Sequence, residues 1–311
     1  MQVFLIALMA VAVLLLTAVP GYLLINRKMI SEDCISGCSK ILLFVCQPCL
    51  AVYTFTSCEF SLEKLCDIGI FALLCLAIFV IVLGGAYLVM HKKCEKPIYR
   101  IMTIATTFSN CAFFGIPIIE ALLGDAAAEL MVYTTVFAVV MNIIGWTLGS
   151  AIIARDPKYM SAKKIFLNPA TLGMAVALVI FIFSVPIHPQ LDSMITITAR
   201  MATPLSMLIM GMRLATMKLG SLFTDLRIYL VIAVKQFIMP LVAFLLVFFL
   251  PISAELKQAF FIICACPVAS VVLNFAEIVG EGQREAANTV LLGTILSILT
   301  LPVMMLMLPL L

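Results

Sequence analysis

Thr106-Thr-Phe-Ser-Asn-Cys-Ala-Phe-Phe-Gly-Ile-Pro-Ile-Ile119 lies inside an apolar span that covers residues 98–123. It carries hydroxyls, an amide, a glycine and a proline where a plain membrane anchor would carry leucine. Pro117 has no backbone N–H and its ring clashes with the carbonyl four residues back. Gly115 weakens the helix just ahead of it. The stretch therefore reads as a helix that breaks inside the bilayer and restarts near Pro117. Broken backbone persists in hydrocarbon only where it is buried in protein or lines a cavity, so the stretch is a candidate binding site.

Cys264-Ala-Cys-Pro-Val-Ala-Ser-Val-Val-Leu-Asn-Phe-Ala-Glu277 has the same character. Pro267 sits mid-span, followed by Ser270, Asn274 and Glu277. Either stretch alone is compatible with an ordinary proline kink. Interrupted hydrophobic segments at matching places in two halves point to the binding site of a secondary transporter.

The composition places both stretches in a membrane protein. Of 311 residues, 64% are hydrophobic and 11% charged, against about a quarter charged in soluble chains. Ten apolar spans follow one another, at residues 3–25, 38–55, 68–90, 98–123, 130–154, 165–185, 191–212, 228–250, 256–279 and 286–311. The first has no basic leader and reads as a membrane helix, not a signal peptide. A polar segment, 155–164, separates a first half, 1–154, from a second, 165–311. Five spans per half place the halves in opposite orientations, which is the inverted-repeat condition. The landmarks repeat as well. Pro48 and Pro204 lie in the second span of each half, and Pro117 and Pro267 in the fourth.

Fifteen of the nineteen Lys and Arg residues fall in alternate loops or at their borders, Lys164 and Lys218 among them, and only Lys64, Arg200 and Lys257 in the others. Positive loops stay cytoplasmic, so both termini are expected outside, in a multi-pass protein of the plasma membrane. The remaining cation, Lys235, is inside the eighth span with Gln236 and Pro240. It could snorkel to the nearby interface or act as countercharge to an anionic substrate, since charges within the membrane tend to be functional.

Other chemistry is thinly represented. The eleven cysteines lie mostly in apolar spans, where cysteine behaves as a small hydrophobe. Cys46-Gln-Pro-Cys49 has no second pair or His cluster to complete a zinc site. His91 and His188 lie in separate loops, which disfavours a membrane enzyme needing clustered acids and bases. No phosphate-binding loop is present. No cofactor, metal or nucleic-acid partner is expected.

Several motifs together resemble the auxin efflux carrier family, prokaryotic type. They are Ser109-Asn110 and Gly115-Ile-Pro117, Asn168-Pro169, Ala202-Thr-Pro-Leu-Ser206, Gly211-Met-Arg-Leu214, Lys235 with Pro240, Cys266-Pro267 through Phe275-Ala-Glu277, and Leu291 through Pro302. The chain is similar to the plant PIN auxin exporters but lacks their long central loop. The resemblance covers nearly the whole chain. It implies an all-α integral membrane fold of ten helices in two inverted repeats of five, with the fourth and ninth broken and crossing near the midplane. It also implies a scaffold of helices one, two, six and seven, often dimeric, so a homodimer is expected. Asn110 matches the family's asparagine before the fourth-helix break, and Pro117 and Pro267 its crossover prolines. The cysteine enrichment departs from the family pattern.

The residues then suggest a mechanism. Half-helix N-termini carry partial positive charge and bind anions, and Pro117 and Pro267 would suit the first position of restarted helices. Asn110, Ser270 and Asn274 would line a carboxylate site, with Gly115 at the crossover and Lys235 as countercharge. Asn142, in the fifth span, is either a further ligand or a satisfied packing amide. Glu277 and Glu120 are candidates for H+ or Na+ coupling or simply solvated border residues. The expected function is a carrier for a small organic anion such as malate, malonate or an auxin-like acid, working by alternating access. The alternative is a membrane sensor that binds a small ligand without flux.

Overall fold

Short polar caps start four of the helices, and the apolar runs extend them. Ser61 accepts from the Lys64 amide at 3.0 Å, Asn168 from Ala170 at 2.9 Å, Asp225 from Arg227 at 3.0 Å and Ser253 from Leu256 at 3.3 Å. Each side-chain oxygen satisfies an N–H that the first turn leaves without a partner. The computed structural model describes residues 1–156, 158, 160, 163, 166–217 and 219–311, with backbone alone at Asp125, Leu219 and Ser221. Lys164 and Lys218 of the charge pattern, and residue 165 at the start of the sixth span, lie outside the described residues.

Among the described residues the longer helices are α1 Gln2–Asn26, α2 Cys34–Thr56, α3 Leu62–Lys93, α4 Pro97–Ala105, α5 Cys111–Leu123, α6 Ala127–Ala154, α7 Pro169–Ile182, α8 Pro189–Thr216, α9 Leu226–Phe248, α10 Ala254–Ala265, α11 Val271–Val279 and α12 Gln283–Leu310. Seven of them, α1, α2, α3, α6, α8, α9 and α12, are long and apolar enough to cross a membrane. Among the described residues there is no strand, only one isolated antiparallel bridge between Ser109 and Val268.

The surface is inverted relative to a soluble protein. On α1, Leu5, Met9, Val13 and Leu16 face outward, while Ala7, Val11, Leu14 and Gly21 are buried. Both sets keep helical spacing, so one face meets lipid and the other meets protein. Helix contact inside a bilayer relies on close packing between small residues, and three glycines supply it. A Cβ on Gly21 would stand 2.1 Å from the Leu208 carbonyl oxygen, and one on Gly211 would stand 1.8 Å from that of Ala18, so α1 and α8 touch backbone to backbone. A Cβ on Gly173 would stand 2.7 Å from Pro48 Cα, which brings α7 onto α2 in the same way.

The fourth and ninth expected spans are each two helices. The first break lies at residues 106–110 and the second at 266–270. The expected restart at the prolines is corrected. Pro117 lies well inside α5, and Pro267 lies within the second break, before α11 begins. A proline inside a helix needs relief from its clash with the preceding turn, and here wide, π-type turns provide it. Such turns cover Leu42–Cys46, Cys111–Gly115 and Val234–Ile238, just ahead of Pro48, Pro117 and Pro240.

Candidate functional site

The two breaks are held together by backbone. Asn110 N donates to the Pro267 carbonyl at 2.9 Å, and Ala269 N donates to that of Phe108 at 2.8 Å. Four groups that the breaks release are thereby paired in a buried place, where an unpaired group would cost about 1–3 kcal/mol. On the first break, Thr106 donates its hydroxyl to the Thr103 carbonyl at 2.7 Å and Thr107 to that of Ile104 at 3.2 Å. The threonines of the opening stretch are thus caps for the end of α4.

At the start of α5, Asn110 is the capping residue, with φ −75° and ψ 58°, but its side chain does not cap the helix. Its Nδ2 is buried without a hydrogen-bond partner, as is the Ser109 hydroxyl. Among the described residues the amides of Cys111, Ala112 and Phe113 have no backbone acceptor, and only Phe114 and Gly115 reach back to Asn110 O. This end of α5 faces a cavity of about 1130 Å³.

The cavity's inner walls combine amides and rings. Asn110, Asn142, Ser270, Asn274 and Gln47 line it with Phe113, Trp146 and Phe275. Trp146 meets Phe275 edge to face with centroids 4.8 Å apart. Gly145 makes room for that ring, since a Cβ there would lie 2.6 Å from it. Asn142 donates to the Ala138 carbonyl of its own helix at 2.9 Å, so its amide is satisfied and also faces the cavity. The mouth is charged, lined by Glu32, Asp33, Lys40, Lys163, Arg213 and Glu277. There Arg213 on α8 pairs with Glu277 on α11 at 2.8 Å.

The remaining expected site residues are placed differently. Lys235 does not line the cavity and does not reach an interface. It is fully buried, and its Nζ donates to the carbonyls of Cys264 and Cys266, each at 2.8 Å, at the end of α10. The wide turn that carries it turns the next residue, Gln236, towards α12, where it donates to Gly293 O at 2.6 Å and accepts from Thr300 at 2.6 Å. Gly115 and the two prolines also lie off the cavity. Gly115 packs at the crossing, where a Cβ would meet Cys266 Sγ at 3.4 Å. Glu120 is exposed on the flank of α5, away from the cavity, as a solvated border residue would be.

Some residues escaped the sequence reading. Gln47 is a polar side chain inside an apolar span, a signal that was available. Arg213 and Arg100 looked like ordinary members of positive loops. Arg100 is buried and donates to the Ile153 carbonyl at 2.5 Å and to Glu281, so it joins α4, the end of α6 and the α11–α12 loop.

The model of the membrane transport protein family matches residues 6–164 and 158–305. No curated protein matches the chain. The two matched segments meet at the polar centre of the sequence and together cover almost all of it. Long apolar helices with two broken spans joined beside a cavity suit that assignment, and the chain is a multi-pass membrane protein of the membrane transport protein family, to which the auxin efflux carriers belong.

Proposed function

We propose that the protein is a secondary carrier for a small organic anion, a carboxylate such as malate, malonate or an auxin-like acid, and that it works by alternating access. The observation that carries this reading is the start of α5. Three backbone amides without a backbone acceptor and the unpartnered Asn110 Nδ2 meet there beside a cavity. A helix N-terminus of this kind favours a carboxylate through N–H groups that the backbone does not use and through its dipole. Asn274 and Ser270 add polar contacts from α11. The Trp146–Phe275 wall would take the carbon skeleton.

In this reading the opening is cytoplasmic, which the Lys- and Arg-rich loops around the mouth support under the positive-inside rule. Both termini would then be outside, in the plasma membrane. The proposed architecture is ten spans in two inverted repeats, 1–154 and 165–311, joined by a cytoplasmic linker, 155–164. The helix pairing supports it. Exchange of the repeats turns the first span into the sixth and the seventh into the second, so the close pair α1–α8 maps onto the close pair α7–α2. The α1, α2, α7 and α8 group would form the scaffold of a homodimer while the crossing moves. No cofactor, metal or nucleic-acid partner belongs to this reading.

The test is uptake of labelled mono- and dicarboxylates into proteoliposomes. Saturable flux of one acid with counterflow is the expected result. Binding of an acid without flux would overturn the carrier reading in favour of a sensor.

A further inference from the structure

Where α10 stops, its last carbonyls lose their helical partners. Pro267 has no N–H to return to them, and its own carbonyl is engaged by Asn110. The oxygens of Cys264 and Cys266 are instead taken by one ammonium, Lys235 Nζ, at 2.8 Å each. Both sites are buried. Among the described residues Lys235 has no carboxylate partner, and the titratable groups around it are the thiols of Cys264, Cys266 and Cys111. Its countercharge is therefore the negative end of α10, the carbonyl dipoles themselves.

Unwound carbonyls and half-helix C-terminal ends are the groups that hold coupling cations in secondary carriers. Here a cation already sits on them, supplied by the chain. The other break does not need one, because Thr106 and Thr107 cap α4 with neutral hydroxyls. Nor does the fold demand a lysine in such a turn. The wide turn in α3, Phe79–Leu83, is made of apolar residues only.

We propose that the Lys235 ammonium is a tethered cation that fills, from within the chain, the place of a coupling sodium ion at the crossing, so that the carrier runs without one there. This deepens the carrier reading and rests on it only for the consequence for flux. The occupancy of the carbonyls is tested without any substrate.

The experiment is thermal unfolding of the purified full chain in sodium, lithium, methylammonium or choline chloride at one ionic strength. The wild type should unfold at the same temperature in all four. Lys235→Ala should unfold about 5–10 °C lower in choline, from two lost charge-assisted hydrogen bonds. It should recover at least half of that loss in methylammonium or sodium. Lys235→Met, which fills the space without charge, should be lowered and should respond to no cation. A wild type stabilised by sodium over choline would overturn the proposal, and that result needs no variant to fold. An alanine variant that is equally unstable in every salt would also overturn it, because the lysine would then be a packing group. In proteoliposomes, replacement of sodium by choline should leave wild-type carboxylate uptake unchanged. No flux of any acid, with the cation rescue intact, would count against the carrier reading alone.

Discussion

Asn110 separates function from stability. A buried amide nitrogen without a partner contributes nothing to folding, and its loss removes a desolvation cost. Asn110→Ala should therefore unfold at or slightly above the wild-type temperature while uptake falls by about tenfold to a hundredfold, the worth of one or two strong hydrogen bonds. Asn110→Asp should also fold well, since aspartate is a good cap. It should abolish uptake of an anion by placing a negative charge at the helix end, and parallel unfolding and uptake measurements check both variants. Such residues are legible in sequence because an amide in an apolar span is costly unless it is used, which marked Asn110, Asn142 and Asn274. Lys235 stood out for the same reason, yet its role did not, because its partners are carbonyls contributed by another span. Arg213 stood out only as part of the Gly211-Met-Arg-Leu214 motif and not as a site residue, since at the end of a span a cation reads as topology.

Elements show where local rules mislead. Local rules make Pro117 the helix breaker, but a wide turn absorbs it. The break comes earlier, where two threonines cap one helix and a second span supplies backbone partners. That pairing joins segments far apart in sequence, so it is invisible to a local rule. Close helix contacts lend themselves to a direct test. Gly211→Val would put a branched side chain where the Ala18 carbonyl oxygen lies 1.8 Å from the Cβ position. Forcing α1 and α8 apart should cost at least about 1–3 kcal/mol, read as a lower unfolding temperature, whereas Gly220→Val, with open space around it, should not. The Arg213–Glu277 pair joins α8 to α11 across the mouth, with both side chains partly exposed. Its contribution to folding should be small. Arg213→Glu alone should reduce uptake about tenfold, and Glu277→Arg in the same chain should recover most of it, as expected for a coupled pair.

For the molecule as a whole, orientation can be read from native thiols. Cys34 and Cys66 are both exposed, next to loops assigned to opposite sides. An impermeant maleimide should label Cys66 in intact cells and Cys34 only in inverted vesicles, and the reverse pattern would invert the proposed topology. The multi-pass membrane class was legible at this scale because the thickness and polarity of the membrane act on every span alike. The cavity was not, since it is made by packing between spans.

The backbone bridge between the breaks also bears on how the protein is made. A nascent chain that has released only its first half holds Asn110 N–H and Phe108 C=O without the partners that Pro267 and Ala269 later bring. In a lipid setting such groups invite recognition by quality control. The first half should thus wait for the second, shielded by insertion factors or by its own collapse. Cut within the central segment, each half made alone should be degraded, while both made together should accumulate as a pair.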